Sequence, residues 1–296
     1  MAVEPVFNRF ATRPKTASTR NPLVKNHTII RDQFSVLTWL VLGATIQGLA
    51  HLLLPYRNIA LVLPVLFFLF YKLLTTILML TGFVTNPYMS SVLPYRTAIV
   101  YPDASGAQSA PGSQPMCAIM LSAISNHPLG MLGPGFKEVS DRFDAMTAQL
   151  SADATRYGYL GGTSWVNACE RTTGNEFATM MYFENEEYVH TYAHGEMHTE
   201  TMQWWHKNAA GLKHVGIMHE IFNCKGTGWE GVYLNYQPTG LGATTKEVTL
   251  KDGRKEWVSP LVKAKGKLLY SKGRMGREFG DKEWEAYGEM VKDEEV

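Results

Sequence analysis

The sequence predicts an α+β fold, a ferredoxin-like domain preceded by a hairpin of two transmembrane helices. Three observations predict it. Residues 34–83 carry two long apolar runs separated by a short polar break with proline. Residues 116–236 alternate short aliphatic or aromatic runs with stretches of helical period, in the order β-α-β-β-α-β. The composition, 45% hydrophobic and 19% charged, is too apolar for a disordered chain. The 296 residues hold 28 Lys+Arg against 27 Asp+Glu, and a formal charge of +1 lacks the basic footprint of a nucleic-acid partner. Cys117, Cys169 and Cys224 are odd in number and form no CxxC pair. They imply neither a disulfide framework nor a thiolate zinc site, and suit a reducing, cytosol-facing domain.

Residues 1–33 form a basic segment, with Arg9, Arg13, Lys15, Arg20, Lys25 and Arg31 against Glu4 and Asp32. Phe34 to Leu54 contains no charge. At about 1.5 Å per helical residue it reaches roughly 30 Å, the thickness of a hydrocarbon core. After Pro55-Tyr56-Arg57-Asn58 a second run extends from Ile59 to Phe83 with Lys72 as its single charge, placed to snorkel or to pair. The start of the first run beyond thirty polar residues argues against a signal peptide. The link between the runs carries only Arg57, so the positive-inside tendency puts the N-terminus in the cytoplasm. Two spans return the chain to that side, and a hairpin lying within one leaflet gives the same sidedness. Asn26-His27-Thr28 is then a sequon that escapes glycosylation. The expected location is a membrane, that of the endoplasmic reticulum, with the soluble domain facing the cytoplasm.

Residues 84–115 mix Pro, Ser, Gly and Ala and read as a linker. The domain is expected over 116–245. Met116 to Ile124 is a continuous apolar run, the mark of a buried strand. A Gly/Pro-containing loop, 126–135, leads into helical spacing of Phe136, Val139, Phe143, Met146 and Leu150. Tyr159–Val166 and Phe177–Phe183 read as two strands joined by the polar stretch 170–175. Asn185 caps a helix expected over 186–210. Val215–Phe222 is a fourth strand, and Gly231–Tyr236 reads as its extension. This order puts both helices on one sheet face, and a second copy of the domain is the usual cover for the other. Residues 246–296 hold 12 Lys+Arg and 11 Asp+Glu and read as a solvated or partly helical tail.

Candidate chemistry concentrates in one region, where His190, His194, His198, His206, His214 and His219 account for six of the nine histidines. On one helix His190, His194 and His198 stand at i, i+4 and i+8, a spacing that suits a shared ligand but equally a solvated face with local hydrogen bonds. No H-E-x-x-H occurs and no metal site is expected. Trp204-Trp205 either lines a cavity for an apolar substrate or packs as core. His219-Glu220 falls on the fourth strand, where alternation sends the two side chains to opposite faces, so one of them at most can serve as base or axial ligand. Pro238-Thr239-Gly240-Leu241-Gly242 reads as strand closure or as an anion-binding loop.

His194-Gly195-x-x-His198, Trp204-Trp205, His214-Val215-Gly216-Ile217-Met218-His219-Glu220, Trp229-Glu230-x-Val232-Tyr233-Leu234-Asn235 and Pro238-Thr239-Gly240-Leu241-Gly242 together resemble the fungal monooxygenase family that includes the fumagillin-cluster oxygenase. The resemblance covers most of the soluble domain. It implies kinship with antibiotic-biosynthesis monooxygenases, hence a dimeric α+β barrel and a membrane-anchored enzyme that tailors a hydrophobic polyketide or terpenoid secondary metabolite. In that frame no cofactor is expected, His198, His219 or Glu220 is the base that generates a substrate carbanion, and Trp204, Trp205 and His194 contact the substrate. The partners are a small hydrophobic substrate, the membrane and a second copy, with no nucleic acid. Two alternatives keep the sequence features. One is a haem-dependent dehydratase or isomerase with His219 or His198 on iron, by analogy with haem-binding members of the same barrel class. The other is a non-catalytic metabolite-binding scaffold.

Overall fold

The structure is a computed structural model in which residues 3–14, 31, 34–166, 176–278 and 280 are described. Asn26, Cys169 and the 170–175 connection lie outside them. Two apolar helices come first, α1 (Val36–Leu53) and α2 (Arg57–Leu80). Ser35 caps α1 by accepting a hydrogen bond from the Thr38 N–H. The helices meet through Gln47, which donates to the Leu61 carbonyl at 3.2 Å. Neither has a buried residue, and both are long and apolar enough to cross a membrane. Lys72 folds back over the Phe68 ring, 5.6 Å from its centre.

The central sheet is assembled from β2 (Met116–Ser125), β3 (Tyr159–Val166), β4 (Glu176–Phe183) and β5 (Val215–Cys224), following a short β1 (Thr97–Ile99). Its order is β3-β4-β2-β5, with every pair antiparallel, as a split βαβ unit requires. Helices α3 (Phe136–Ala152), α4 (Glu186–Ala193) and α5 (Glu196–Asn208) follow β2 and β4. On the helix-side face Cys117, Met181 and Phe183 pack with Leu150, Val189 and Tyr192. The α3 residues Phe143, Met146 and Leu150 recur one turn apart, which is why that helix is legible in the sequence. Gly135 starts α3 at φ +76°, where a Cβ would fall 2.2 Å from the Leu212 side chain, so only glycine fits.

Three expectations need correction. The helix expected over 186–210 is two helices, because Gly195 adopts an extended conformation (φ −70°, ψ 157°) and caps α5. The extension at 231–236 leaves the main sheet: β6 (Val232–Tyr233) pairs with β1, which also pairs with β9 (Leu261–Lys263). The stretches read as linker and tail are therefore structural where they are described. Ala98, Ile99, Val100, Leu261 and Val262 are at most 1% exposed. A hairpin of β7 (Lys246–Thr249) and β8 (Lys255–Val258) and a turn of helix, α6 (Ser271–Arg274), complete this part. Charges and buried apolar residues share one face of the hairpin, where Val248 stands opposite Glu256 and Val258 opposite Lys246, and Lys246 pairs with Glu184 at 2.9 Å. Net composition hides that pairing.

The N-terminal segment joins the same unit. Val6 N donates to Leu261 O, Lys263 N to Glu4 O, and Phe10 and Trp257 exchange backbone bonds at 2.9 and 2.8 Å. Arg13 is sandwiched between the Tyr159 and Trp257 rings, 5.1 and 4.9 Å away, and donates to the carbonyls of Tyr159 and Ser151 and to the Thr245 hydroxyl.

Candidate active site

Burial and hydrogen bonding sort the six clustered histidines. His190 and His206 are exposed. His194 is the exposed C-cap of α4, and its Nδ1 donates to the His190 carbonyl at 2.8 Å. His214 Nε2 donates to the Pro134 carbonyl at 2.8 Å and its ring meets His127 edge to face, so it holds the loop before α3. Two remain. His198 sits in the first turn of α5, half-buried, edge-on to Tyr192 at 6.2 Å between ring centres. His219 stands on β5 opposite Leu121, on the helix-side face, and is exposed.

Burial pushes the His198 imidazole below its ordinary pKa, and the nearby His219 and His194 rings push the same way, against a hydrogen bond to the Ala193 carbonyl. His198 is thus neutral at neutral pH, the state in which an imidazole accepts a proton. On α5, Met202 and Trp205 share its helical stripe. Met202, Ile217 and Ile221 leave apolar surface exposed around the pair.

The other predicted residues are placed differently. Glu220 pairs with Met120 and projects to the opposite sheet face from His219, so the two do not act on one substrate atom within a single chain. Trp204 lies under the Arg142 guanidinium of α3, 4.6 Å from the ring centre, a contact that ties α5 to α3. The glycine turn at 240–243 is closure: Tyr233 Oη accepts from Gly242 N and donates to the Thr239 carbonyl, both at 2.9 Å.

The geometry also supplies groups that have no sequence signal. Ser122, buried on the outer face, donates to Glu176, 54 residues away, beside the exposed Trp165, Met218 and Phe222. Tyr101 and Thr244 share a buried hydrogen bond of 2.6 Å across 143 residues. Among the described residues no group of three or more His, Cys, Asp or Glu could hold a metal ion. Haem needs an imidazole aimed into an apolar slot. His219 is open to solvent and His198 is bonded to its own helix junction, so the residues of one chain do not fit that group.

A family model described as Monooxygenase af470-like matches residues 117–241. Monooxygenase af470 of Aspergillus fumigatus is 35% identical over 250 residues, covering 83% of this chain and 89% of that relative. The chain belongs to the Monooxygenase af470-like family. Its members are oxygenase enzymes by name, and the matched segment contains β2 through β6 with both candidate histidines. The resemblance read from residues 194–242 is thereby borne out. Among solved structures, the cofactor-independent oxygenase SnoaB from Streptomyces nogalater aligns at 11% identity over 36% of this chain and 90% of its own, with a TM-score of 0.24. An aldoxime dehydratase aligns at 14% over 52% of this chain and 41% of its own, with a TM-score of 0.36. Likenesses this partial carry no inference about the chemistry of the af470-like family.

Proposed function

We propose that this member of the family is a membrane-anchored monooxygenase acting on a small hydrophobic metabolite, of polyketide or terpenoid type, with His198 as the base. The observation that carries the reading is a half-buried, neutral imidazole beside a second histidine and exposed apolar side chains, in a chain whose family is one of monooxygenases. His198 removes a proton from an acidic C–H of a substrate methylene, and the carbanion delivers its electrons to dioxygen. Over the whole reaction the methylene becomes a carbonyl: both C–H bonds and the O–O bond break, one oxygen atom stays on carbon, and the other leaves with the two hydrogens as water. The substrate is the only reductant, and the balance closes without a further co-reactant. Trp205 and Met202 cover the substrate and exclude water.

Anchoring is supported by α1 and α2, whose apolar side chains are largely exposed, and by the strap of residues 3–14. Because that strap folds into the same unit as residues 97–263, the two helices leave and return on one side. The basic residues of the first 33 positions favour the cytoplasmic side, at the endoplasmic reticulum. A second copy is the proposed cover for the open sheet face and for the edge of β5.

Oxygen uptake by the detergent-solubilised full chain, with a panel of phenolic and 1,3-dicarbonyl substrates, tests the chemistry. His198→Ala is expected to lower turnover by about 10²–10⁴-fold, the range of a lost general base. Full turnover in both His198→Ala and His219→Ala removes the assignment.

A further inference from the structure

Residues 81–95 and 231–245 contain no charged side chain, in a chain that is 19% charged. The first segment leaves the end of α2, and the second surrounds β6. They are distant in sequence and joined in space. Gln237 Nε2 donates to the Tyr88 carbonyl at 3.1 Å, and Leu93 N donates to the Tyr236 carbonyl at 3.1 Å. A turn of 3-10 helix at Pro87–Met89, capped by Asn86, and left-handed Ser91 and Asn235 fix the two loops.

What the joined loops present is apolar and aromatic. Phe83 is 82% exposed, Tyr88 77% and Leu234 53%, with Met89 and Tyr236 exposed beside them. A contiguous patch of this kind on a folded unit marks an interaction surface. Tyrosines whose rings are apolar and whose hydroxyls are polar suit the boundary between hydrocarbon and headgroups.

We infer that this loop pair is a membrane-interface surface: Phe83, Tyr88, Met89, Leu234 and Tyr236 rest in the headgroup layer of the bilayer that α1 and α2 cross. The inference rests on the anchored reading above. The chain itself selects the occupant. Phe83 follows Leu80, the last residue of α2, by three positions, and Tyr88 follows by eight. At about 3.3–3.6 Å per residue, Tyr88 lies at most about 29 Å from the helix end even when fully extended. The backbone is not extended, since Val84 N turns back to the Leu78 carbonyl and Val92 N to the Met89 carbonyl. No carboxylate in either segment opposes an anionic headgroup. Seated this way, the domain is held with one defined face toward the membrane. The 237–243 loop then leads from the patch to the sheet, where Gly240 N donates to the Thr163 hydroxyl of β3 at 2.9 Å.

Spin labels report the depth. Cysteines for labelling at Tyr88→Cys, Leu234→Cys, Leu69→Cys in the middle of α2 and Asp252→Cys at the β7–β8 turn are placed one at a time in the full chain with Cys169→Ser and Cys224→Ser, the native Cys117 being fully buried and out of reach of the label. The protein is reconstituted in phosphatidylcholine and phosphatidylserine vesicles. Collision with oxygen is compared with collision with a water-soluble nickel chelate. The labels at 88 and 234 are expected to show an oxygen-to-nickel ratio several-fold above that at 252 and below that at 69. If 88 and 234 match 252 while 69 reads hydrocarbon, the surface is overturned and the anchor stands. If 69 also reads water, the anchored reading fails with it. Protection of 88 and 234 from both quenchers means a protein cover, and also overturns the inference.

Discussion

Two parts of the four-stranded sheet's outer face are finished in different ways. At one end Met116, Leu160 and Tyr182 are covered by the chain's own Ile99, Tyr101, Trp229 and Leu261, drawn from stretches that read as linker, loop and tail. Elsewhere on that face Met218 and Phe222 on β5, and Trp165 near the far end of β3, stay 37–46% exposed, and among the described residues β5 runs for ten positions as an outer strand with one neighbour. The same sheet is therefore closed by local additions at one end and left uncovered along β5. An unprotected edge with apolar side chains is a pairing surface. Residues at the closed end should govern stability, whereas those on the outer face of β5 should govern association.

The largest test of that difference is at the closed end. Leu261 is fully buried among Ile99, Tyr101 and Leu160, and Leu261→Ala is expected to cost about 3 kcal/mol, seen as a lowered melting temperature of the detergent-solubilised chain. Phe222→Ala, of larger volume change but on the uncovered face of β5, should shift melting of the isolated chain by less than about 0.5 kcal/mol. Equal losses would erase the contrast between the two parts. Next comes Arg13. Its removal leaves the Tyr159 and Ser151 carbonyls without their donor, so Arg13→Ala is expected to cost about 2 kcal/mol and to release the strap to limited proteolysis. Arg13→Lys should recover little, because a point charge cannot make the forked contacts or stack flat between Tyr159 and Trp257.

These two residues also show what a sequence can reveal. The four main strands are legible because aliphatic and aromatic residues dominate or bracket each of them, and α3 because its apolar residues recur every turn. The second sheet is not. Its strands are two or three residues long, and Thr97 pairs with Lys263 and Tyr233, more than 130 residues away, so no local period announces it. Arg13 bonds partners 138 to 232 residues distant, and in sequence it is one basic residue among six before the first apolar run. The candidate site is half legible. Histidine density points to the region, but choosing His198 requires knowing that Gly195 breaks the helix and that His194 and His214 are occupied by carbonyls. Alternation correctly separates His219 from Glu220, whereas nothing in sequence pairs Trp204 with Arg142.

On the outer face of β5, charge should act mainly on association. Phe222→Glu places a second carboxylate beside Glu220 on the exposed outer face of β5, a cost felt chiefly when a second copy covers it. The expected result is at least a tenfold rise in the dimer dissociation constant by analytical ultracentrifugation, about 1.4 kcal/mol, with melting of the monomer unchanged. A dimer of unaltered affinity would mean that the outer edge of β5 is not where copies meet.

The smallest effect is one of pH, and it separates the site from both ends of the sheet. Burial makes His198 harder to protonate in the folded chain than in the unfolded one. Between its lowered pKa and the ordinary value near 6.5, the unfolded state therefore binds more protons, and stability falls as pH falls through that window. Catalysis moves the same way, because only the neutral ring accepts a proton. The acid limb of the kcat/KM profile should accordingly lie below about pH 6.5. His198→Gln, which keeps a polar group at the helix junction, should remove that limb and the acid sensitivity of melting together, by under about 1 kcal/mol for the latter. His219→Gln removes a ring that presses the His198 pKa down, so the limb should move up toward the ordinary value. A limb that stays in place in His219→Gln would mean that the His219 ring does not set it, and that the two histidines do not work as a pair.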